Sequence, residues 1–294
     1  MLNERHANAV VVWAPAKVNL YLEVLAKRAD GYHEIETLMA AVSLYDTLEF
    51  KEETSGEIRF DCDHPDLTTG PDNLVLRAAH LLRQRTGCQR GARLRLAKRI
   101  PLAGGLAGGS TDAAATLAGL NRLWRLGLTR AELAHLGAEL GSDVAFFFAP
   151  TAAWCTGRGE QVAPVTLGKP LWFVLVCPWF GLATALVYRG LTLPDQPQTG
   201  ALILQAAREG NVEEIGRRLH NRLQPRALQF CPALAEVQDR LAVLGPAGFA
   251  LSGSGSSFFA LCRDECEALR IARGLRNRAE QGMNLGVFIV RSCS

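Results

Sequence analysis

The stretch that most constrains this chain runs Pro101-Leu-Ala-Gly-Gly-Leu-Ala-Gly-Gly-Ser-Thr-Asp112. Glycines stand at four of the six positions 104–109, and apolar residues then recur at helical spacing. Ala113, Ala114, Leu117, Leu120 and Trp124 form that stripe, which runs on to Gly127, a good residue just past a helix end. Glycine lets backbone N–H groups turn inward and approach an anion with no Cβ in the way. A helix N-terminus adds free donors and partial positive charge. The hydroxyls of Ser110 and Thr111 can reach a phosphate or an associated Mg²⁺. Residues 101–112 therefore read as a phosphate-binding loop.

Common nucleotide signatures do not fit this loop. The one Gly-Lys pair, Gly168-Lys169, is followed by Pro170, so there is no Walker A sequence. Gly105-Leu-Ala-Gly108 lacks the leading Gly-x-Gly of a dinucleotide fingerprint, and His-Arg-Asp and Asp-Phe-Gly are absent.

With 294 residues, 48% hydrophobic and 21% charged, the chain can build one large or two modest cores. A net charge of +3 argues for neither nucleic acid nor membrane. Arg83, Arg85, Arg90, Arg93, Arg95, Lys98 and Arg99 accumulate where acids are missing, but Arg93, Arg95 and Arg99 alternate with Leu94, Leu96 and Ile100 as on a solvated strand face. No aromatic interleaving favours nucleic acid there. The eight cysteines include no Cys-x-x-Cys pair, which suits free thiols in a reducing compartment. Ala9–Trp13 is too short for a secretory core and Leu171–Cys177 too short to span a bilayer. The protein reads as cytoplasmic.

Val10–Trp13 and Val18–Leu25 are expected as strands on either side of a break at Pro15, followed by a turn at Arg28-Ala-Asp-Gly31. Further strands are expected at 48–50, 57–60, 93–100, 171–177, 249–252 and 257–262. Helices are expected at 73–85, after the glycine loop, from the capping box Thr129-Arg-Ala-Glu132 to Gly141, and near 200–223 and 264–278. Residues 191–200 read as a loop. The pattern is α+β with two lobes, 1–160 and 161–294.

Pro101–Ala115 resembles the second motif of the GHMP kinases, a Gly/Ser-rich loop that wraps ATP phosphates. Ala14-Pro-Ala-Lys17-Val-Asn19-Leu resembles their first motif and Leu251-Ser-Gly253-Ser-Gly255-Ser256-Ser257 their third, all in the right order. Arg28-Ala-Asp30-Gly31-Tyr32-His33, Thr37-Leu-Met, Asp72-Asn73-Leu74-Val75 and Leu140-Gly-Ser-Asp143-Val144 narrow the resemblance. They are similar to the 4-diphosphocytidyl-2-C-methyl-D-erythritol kinases of that superfamily. The resemblance implies a ribosomal-protein-S5-domain-2-like N-terminal lobe that binds ATP and a ferredoxin-like α/β sandwich at the C-terminus. It also implies ATP and Mg²⁺ as cofactors and phosphorylation of the 2-hydroxyl of a cytidine-diphosphate-linked branched polyol in the non-mevalonate route to isoprenoids.

Residue by residue, Asp143 matches the family's catalytic base and Lys17 its catalytic lysine, a cation that favours the alkoxide. Local sequence alone also allows Asp143 as an N-cap. ATP is expected on Pro101, Leu102, Ala103, Gly104, Gly105, Leu106, Ala107, Gly108, Gly109, Ser110 and Thr111, with Asn73, Leu74 and Lys98 at the adenine and Ser110 near Mg²⁺. Tyr32 and His33 match positions that hold cytosine, Tyr188 the aromatic on its other face, and Asn19 a contact to the polyol or its diphosphate. Two departures stand in the loop, Ala107 for a glycine and Thr111 for a serine. A third is Arg222, which replaces an acid in Asn221-Arg-Leu223. The competing readings are a GHMP kinase for homoserine, mevalonate or a sugar, an idle GHMP-fold regulator, and nucleic-acid binding through 83–99. A monomer or homodimer with no nucleic-acid or membrane partner is expected.

Overall fold

In the computed structural model the described residues are 2–6, 9–279 and 284–293. They form two compact units that interleave along the chain. The first comprises Met1–Ala16, Leu44–Ile100 and Ala107–Ala149; the second comprises Lys17–Ser43, Pro101–Leu106 and Pro150–Ser294. Interleaving takes the place of a single boundary near residue 160. It follows from two long strands, β2 (Ala9–Lys27, 19 residues) and β3 (His33–Glu53, 21 residues), each of which passes through both units.

The expected break at Pro15 is absent, since β2 is continuous there. Strand β1 (Leu2–His6) pairs with β2 only as far as Trp13. Lys17 donates its N–H to Leu106 O (3.1 Å), outside any strand ladder. Pro15, two residues earlier, aims its missing N–H at the same side, so its ring removes no ladder bond.

In the first unit, β5 (Gly91–Ala97) pairs antiparallel with Thr47–Glu53 of β3 and parallel with β4 (Ile58–Cys62). Leu94 and Leu96 are fully buried while Arg93 and Arg95 face out, so that part of the basic run is a solvated strand face. Helix α1 (Leu74–Thr86) is capped by Asn73, whose side chain accepts from Val75 N, and ends at left-handed Gly87. Helix α2 (Gly108–Trp124) lies against the sheet at Gly119, where a Cβ would stand 2.3 Å from the Phe50 ring. It stops at Arg125, ahead of the expected Gly127. Asn121 explains the early stop, because its side chain binds both N–H and C=O of Leu128 and folds the exit into a turn. Helix α3 (Arg130–Leu140) carries the expected capping box, Thr129 with Glu132, and a 3-10 turn follows at Ala145–Phe148.

In the second unit, β6 (Ala152–Thr156) pairs with Thr37–Ala40 of β3 and with β7 (Gln161–Val165). Strand β8 (Trp172–Pro178) is central to a separate antiparallel sheet. Around it come α4 (Thr184–Arg189), α5 (Ala201–Glu209), α6 (Val212–Arg218), β9 (His220–Asn221), α7 (Gln224–Phe230) and α8 (Ala233–Leu244). Strands β10 (Gly248–Leu251) and β11 (Phe258–Cys262), helix α9 (Glu265–Ala279) and β12 (Leu285–Arg291) complete the unit, and the second sheet runs β10-β11-β8-β12. Leu234, Val237 and Leu241 of α8 and Ile271, Ala272 and Leu275 of α9 cover this sheet at Val174, Val176, Phe258 and Ala260. Each buried Leu or Ile there contributes roughly 1.5–3 kcal/mol of transfer free energy. Residues 191–200 are irregular, as expected, and no described helix is long and apolar enough to cross a membrane.

Candidate active site

The N-terminus of α2 in the first unit rests on a buried ion triad. Lys98 Nζ lies 2.6 Å from both Asp46 Oδ2 and Asp112 Oδ2, with all three side chains at most 3% exposed. Asp46 Oδ1 also accepts the N–H groups of Arg99 (2.6 Å) and Ile100 (2.8 Å), so one carboxylate orders the chain just before Pro101. Burial and the neighbouring Asp46 raise the Asp112 carboxyl to about 7 despite the attraction of Lys98. The side chain of Lys98 presents no exposed ammonium to a ligand, leaving its backbone as the accessible part. A Cβ on Gly108 would stand 2.9 Å from Lys98 Nζ, and one on Gly109 would stand 3.4 Å from Leu74, which puts the Asn73-Leu74 helix start beside the loop. Thr111 Oγ1 and Asp112 Oδ1 are buried without a hydrogen-bond partner among the described residues. Two oxygens in that condition at a helix start suit a ligand rich in donors or a cation. No cluster of three or more His, Cys, Asp or Glu side chains that could cage a metal occurs among the described residues. Mg²⁺ held by phosphates and one or two protein oxygens needs no such cage, so Ser110 and Thr111 remain suitable donors.

Ala107, which replaces a family glycine, adopts φ 58° and ψ 33°. An L-residue in that left-handed region costs about 1–2 kcal/mol, so the added methyl is not neutral.

Asp143 belongs to the first unit and is half-buried in a turn closed by Val144 N–H to Gly141 O (3.2 Å). The cap position of the following 3-10 turn is Val144, one residue beyond Asp143.

In the second unit the first half of the glycine loop locks onto the third motif. Ser257 N–H donates to Gly104 O (3.1 Å) and Ser252 Oγ to Gly105 O (3.0 Å). Gly105 combines φ +73° with a position where a Cβ would sit 2.0 Å from Ser252 O, so only glycine fits. Beside this loop, Lys17 and Asn19 lie on the polar side of β2. Lys17 Nζ donates to Asn19 Oδ1 (2.6 Å), Asn19 Nδ2 to Thr37 Oγ1 (2.8 Å), and Thr37 Oγ1 to Tyr21 O (2.6 Å). All four residues are buried. Lys17 Nζ lies 3.3 Å from where a Cβ on Gly253 would stand, so the buried ammonium faces the glycine turn. Asn221 holds that turn through Nδ2 bonds to Leu251 O and Gly253 O.

The pyrimidine candidates also fall in the second unit. Asp30 accepts the Tyr32 N–H and pairs with Arg28, which also pairs with Glu34, and this charged staple presents Tyr32 half exposed. His33 and Tyr188 have ring centroids 5.0 Å apart, tilted 37°. Burial and the Lys27 cation lower the His33 pKa, so its ring stays neutral and can both donate and accept. Sequence reasoning had no role for Asp46, Asp112 or Thr37. Asp112 stood within reach of it in Ser-Thr-Asp, whereas the others gain meaning only from partners distant in sequence.

Known proteins align with this arrangement along nearly the whole chain. The family described as GHMP kinases N terminal domain matches residues 73–150, and GHMP kinases C terminal matches residues 203–281. A 4-diphosphocytidyl-2-C-methyl-D-erythritol kinase of Shouchella clausii is 42% identical over 91% of each chain. Another of that name, from Exiguobacterium sibiricum, is 41% identical over 96% of this chain and 97% of its own. The chain belongs to the 4-diphosphocytidyl-2-C-methyl-D-erythritol kinase family of GHMP kinases. It is an ATP-dependent kinase with an alcohol acceptor. A crystal structure of 4-(cytidine 5'-diphospho)-2C-methyl-D-erythritol kinase is 36% identical, superposes with a TM-score of 0.81 and covers 97% of this kinase and 100% of itself. A homoserine kinase from Cytophaga hutchinsonii, 18% identical with a TM-score of 0.77, shares the α+β fold alone.

Proposed function

We propose that this kinase transfers the γ-phosphoryl group of ATP to the 2-hydroxyl of 4-diphosphocytidyl-2-C-methyl-D-erythritol, in the non-mevalonate route to isoprenoids. The observation that carries this reading is the identity of 41–42% to kinases of that name over more than nine-tenths of each chain. Homoserine and mevalonate kinases share the fold at 18% identity or less, too low to carry their substrates across.

Phosphoryl transfer to an alcohol needs alignment, charge stabilisation and a home for the hydroxyl proton. Pro101–Thr111 wraps the phosphates with backbone N–H groups, supplemented by Ser110 and Thr111. Asn73, Leu74 and the backbone at Lys98 border the adenine. Mg²⁺, when bound near Ser110, neutralises phosphate charge. Asn19 meets the polyol or its diphosphate, Tyr32 and Tyr188 stack on cytosine, and neutral His33 reads the base edge. Asp143 accepts the proton of the 2-hydroxyl, and Lys17 stabilises the alkoxide that forms. The buried Lys17–Asn19–Thr37 chain supports the last role, because it fixes the position of the ammonium before an anion develops. The enzyme works in the cytoplasm as a monomer or homodimer, without nucleic acid.

A coupled ADP-release assay compares the cytidylyl methylerythritol with homoserine and mevalonate. Turnover with the first alone is expected, and turnover with either competitor but not the first overturns the substrate. In the same assay Asp143→Asn is expected to lose about 100-fold or more in kcat while ATP binding persists. An unchanged kcat removes Asp143 from the mechanism.

A further inference from the structure

We propose that Arg158 is a positioning residue for the nucleobase, acting through Tyr32; this rests on the reading above that Tyr32 stacks on cytosine. The Arg158 guanidinium carbon lies 4.7 Å from the centroid of the Tyr32 ring. Tyr32 as a whole remains 51% exposed, so the cation over its ring leaves much of the residue open to solvent. Arg158 sits in the tight turn joining β6 to β7. Its N–H is held by Glu160 Oε2 (2.6 Å), and its Nε lies 3.9 Å from the same carboxylate. The turn is tied to the Tyr32 segment by Ile35 N–H to Gly157 O (2.8 Å). Tyr32 is fixed in turn by Asp30, which takes its N–H, and by Arg28 N–H to Tyr32 O (2.8 Å). Both partners of the cation–ring contact thus stand on braced backbone.

A flat base offered a bare tyrosine has two faces to choose from and a ring free to rotate. With a guanidinium on one face, a single face remains, and the attraction between cation and ring holds it in one orientation before the base arrives. Pre-organisation of this kind improves affinity by lowering the ordering cost of binding. It acts on the pyrimidine end of the substrate and leaves the phosphoryl-transfer chemistry and the ATP loop alone. The acceptor KM should therefore move while kcat and the ATP KM stay.

The test compares Arg158→Ala, Arg158→Lys, Tyr32→Ala and the Arg158→Ala/Tyr32→Ala double variant in steady-state kinetics, with calorimetric binding of CDP alone as a second readout. Arg158→Ala is expected to raise the KM for the cytidylyl substrate and the Kd for CDP about fivefold, the scale of one exposed-to-desolvated cation–π contact. Arg158→Lys restores part of the loss, and in the double variant the Arg158 effect disappears. If Tyr32→Ala weakens CDP binding and Arg158→Ala does not, the inference is overturned and the cytosine reading stands. If neither variant weakens it, the cytosine reading fails first and takes the inference with it. Equal changes in both KM values and kcat, or additive effects in the double variant, would show a merely structural arginine and overturn the proposal.

Discussion

Glu23 has a side chain with no solvent exposure, yet it ionises at lower pH than a free glutamate. Burial opposes that ionisation, and the Arg222 guanidinium outweighs it together with N–H groups of Val24 and Gln198. Arg222 bonds both oxygens, at 2.6 and 2.7 Å. The residue that stood out in the sequence as a basic replacement for a family acid is therefore the counter-ion of a buried carboxylate. Arg222→Met should destabilise the protein by about 3 kcal/mol, because the charge of Glu23 is left without its strongest partner. Adding Glu23→Gln should recover most of that loss. Urea titration of the three proteins checks this, and a loss below about 0.5 kcal/mol for the single variant would mean the pair matters little. The sign with pH follows from the depressed carboxyl: the contribution is present above the ordinary glutamate range and disappears as acid protonates Glu23.

Among the elements, those with local signals were legible in the sequence. Asn73 begins α1 and Thr129 with Glu132 begins α3 because a cap needs only its own first turn. The end of α2 falls before Gly127 because a contact between Asn121 and Leu128 overrides the glycine that follows. Helix α8 has a weak local signal: Leu234, Val237 and Leu241 have helical spacing, but Pro232 and Gly245 frame a short segment. The glycine loop is legible in the sequence, but the ion triad beneath it is not, for Asp46 and Lys98 lie 52 residues apart. That foundation has a pH signature. Folding favours the protonated form of Asp112, so the native state holds more protons than the unfolded chain between the ordinary aspartate range and about 7. Stability contributed at this site therefore falls as pH rises through that window. Asp112→Asn should make the loss of unfolding free energy between pH 5 and 7 smaller by about 2 kcal/mol, measured by urea melts at both values. Parallel pH dependences in variant and parent would dismiss the triad as a titrating unit.

At the scale of the whole molecule, the second unit draws Lys17–Ser43 from the first part of the chain. Leu22, Val24 and Ile35 join the core that also contains Val174, Phe258 and Ile271. A fragment spanning 161–294 should therefore collapse without fixed packing, binding a hydrophobic dye and lacking a near-ultraviolet circular dichroism signal. A cooperative thermal transition with native near-ultraviolet signal would show that the fragment is a self-sufficient domain. Local sequence by itself determined the glycine-rich entry to α2, the caps of α1 and α3, and the solvated face of Arg93 and Arg95, since each depends on neighbours a few positions away. The three ordered motifs carried the family. Tertiary structure decided that Lys17 is a buried donor to Asn19, that Lys98 is held between two carboxylates, and that Arg222 answers Glu23. It also decided that Arg158 covers one face of Tyr32. The Lys17–Asn19 bond spans two residues and owes its burial to the surrounding fold, while the other contacts join segments 14 or more residues apart, which no local window of sequence encodes.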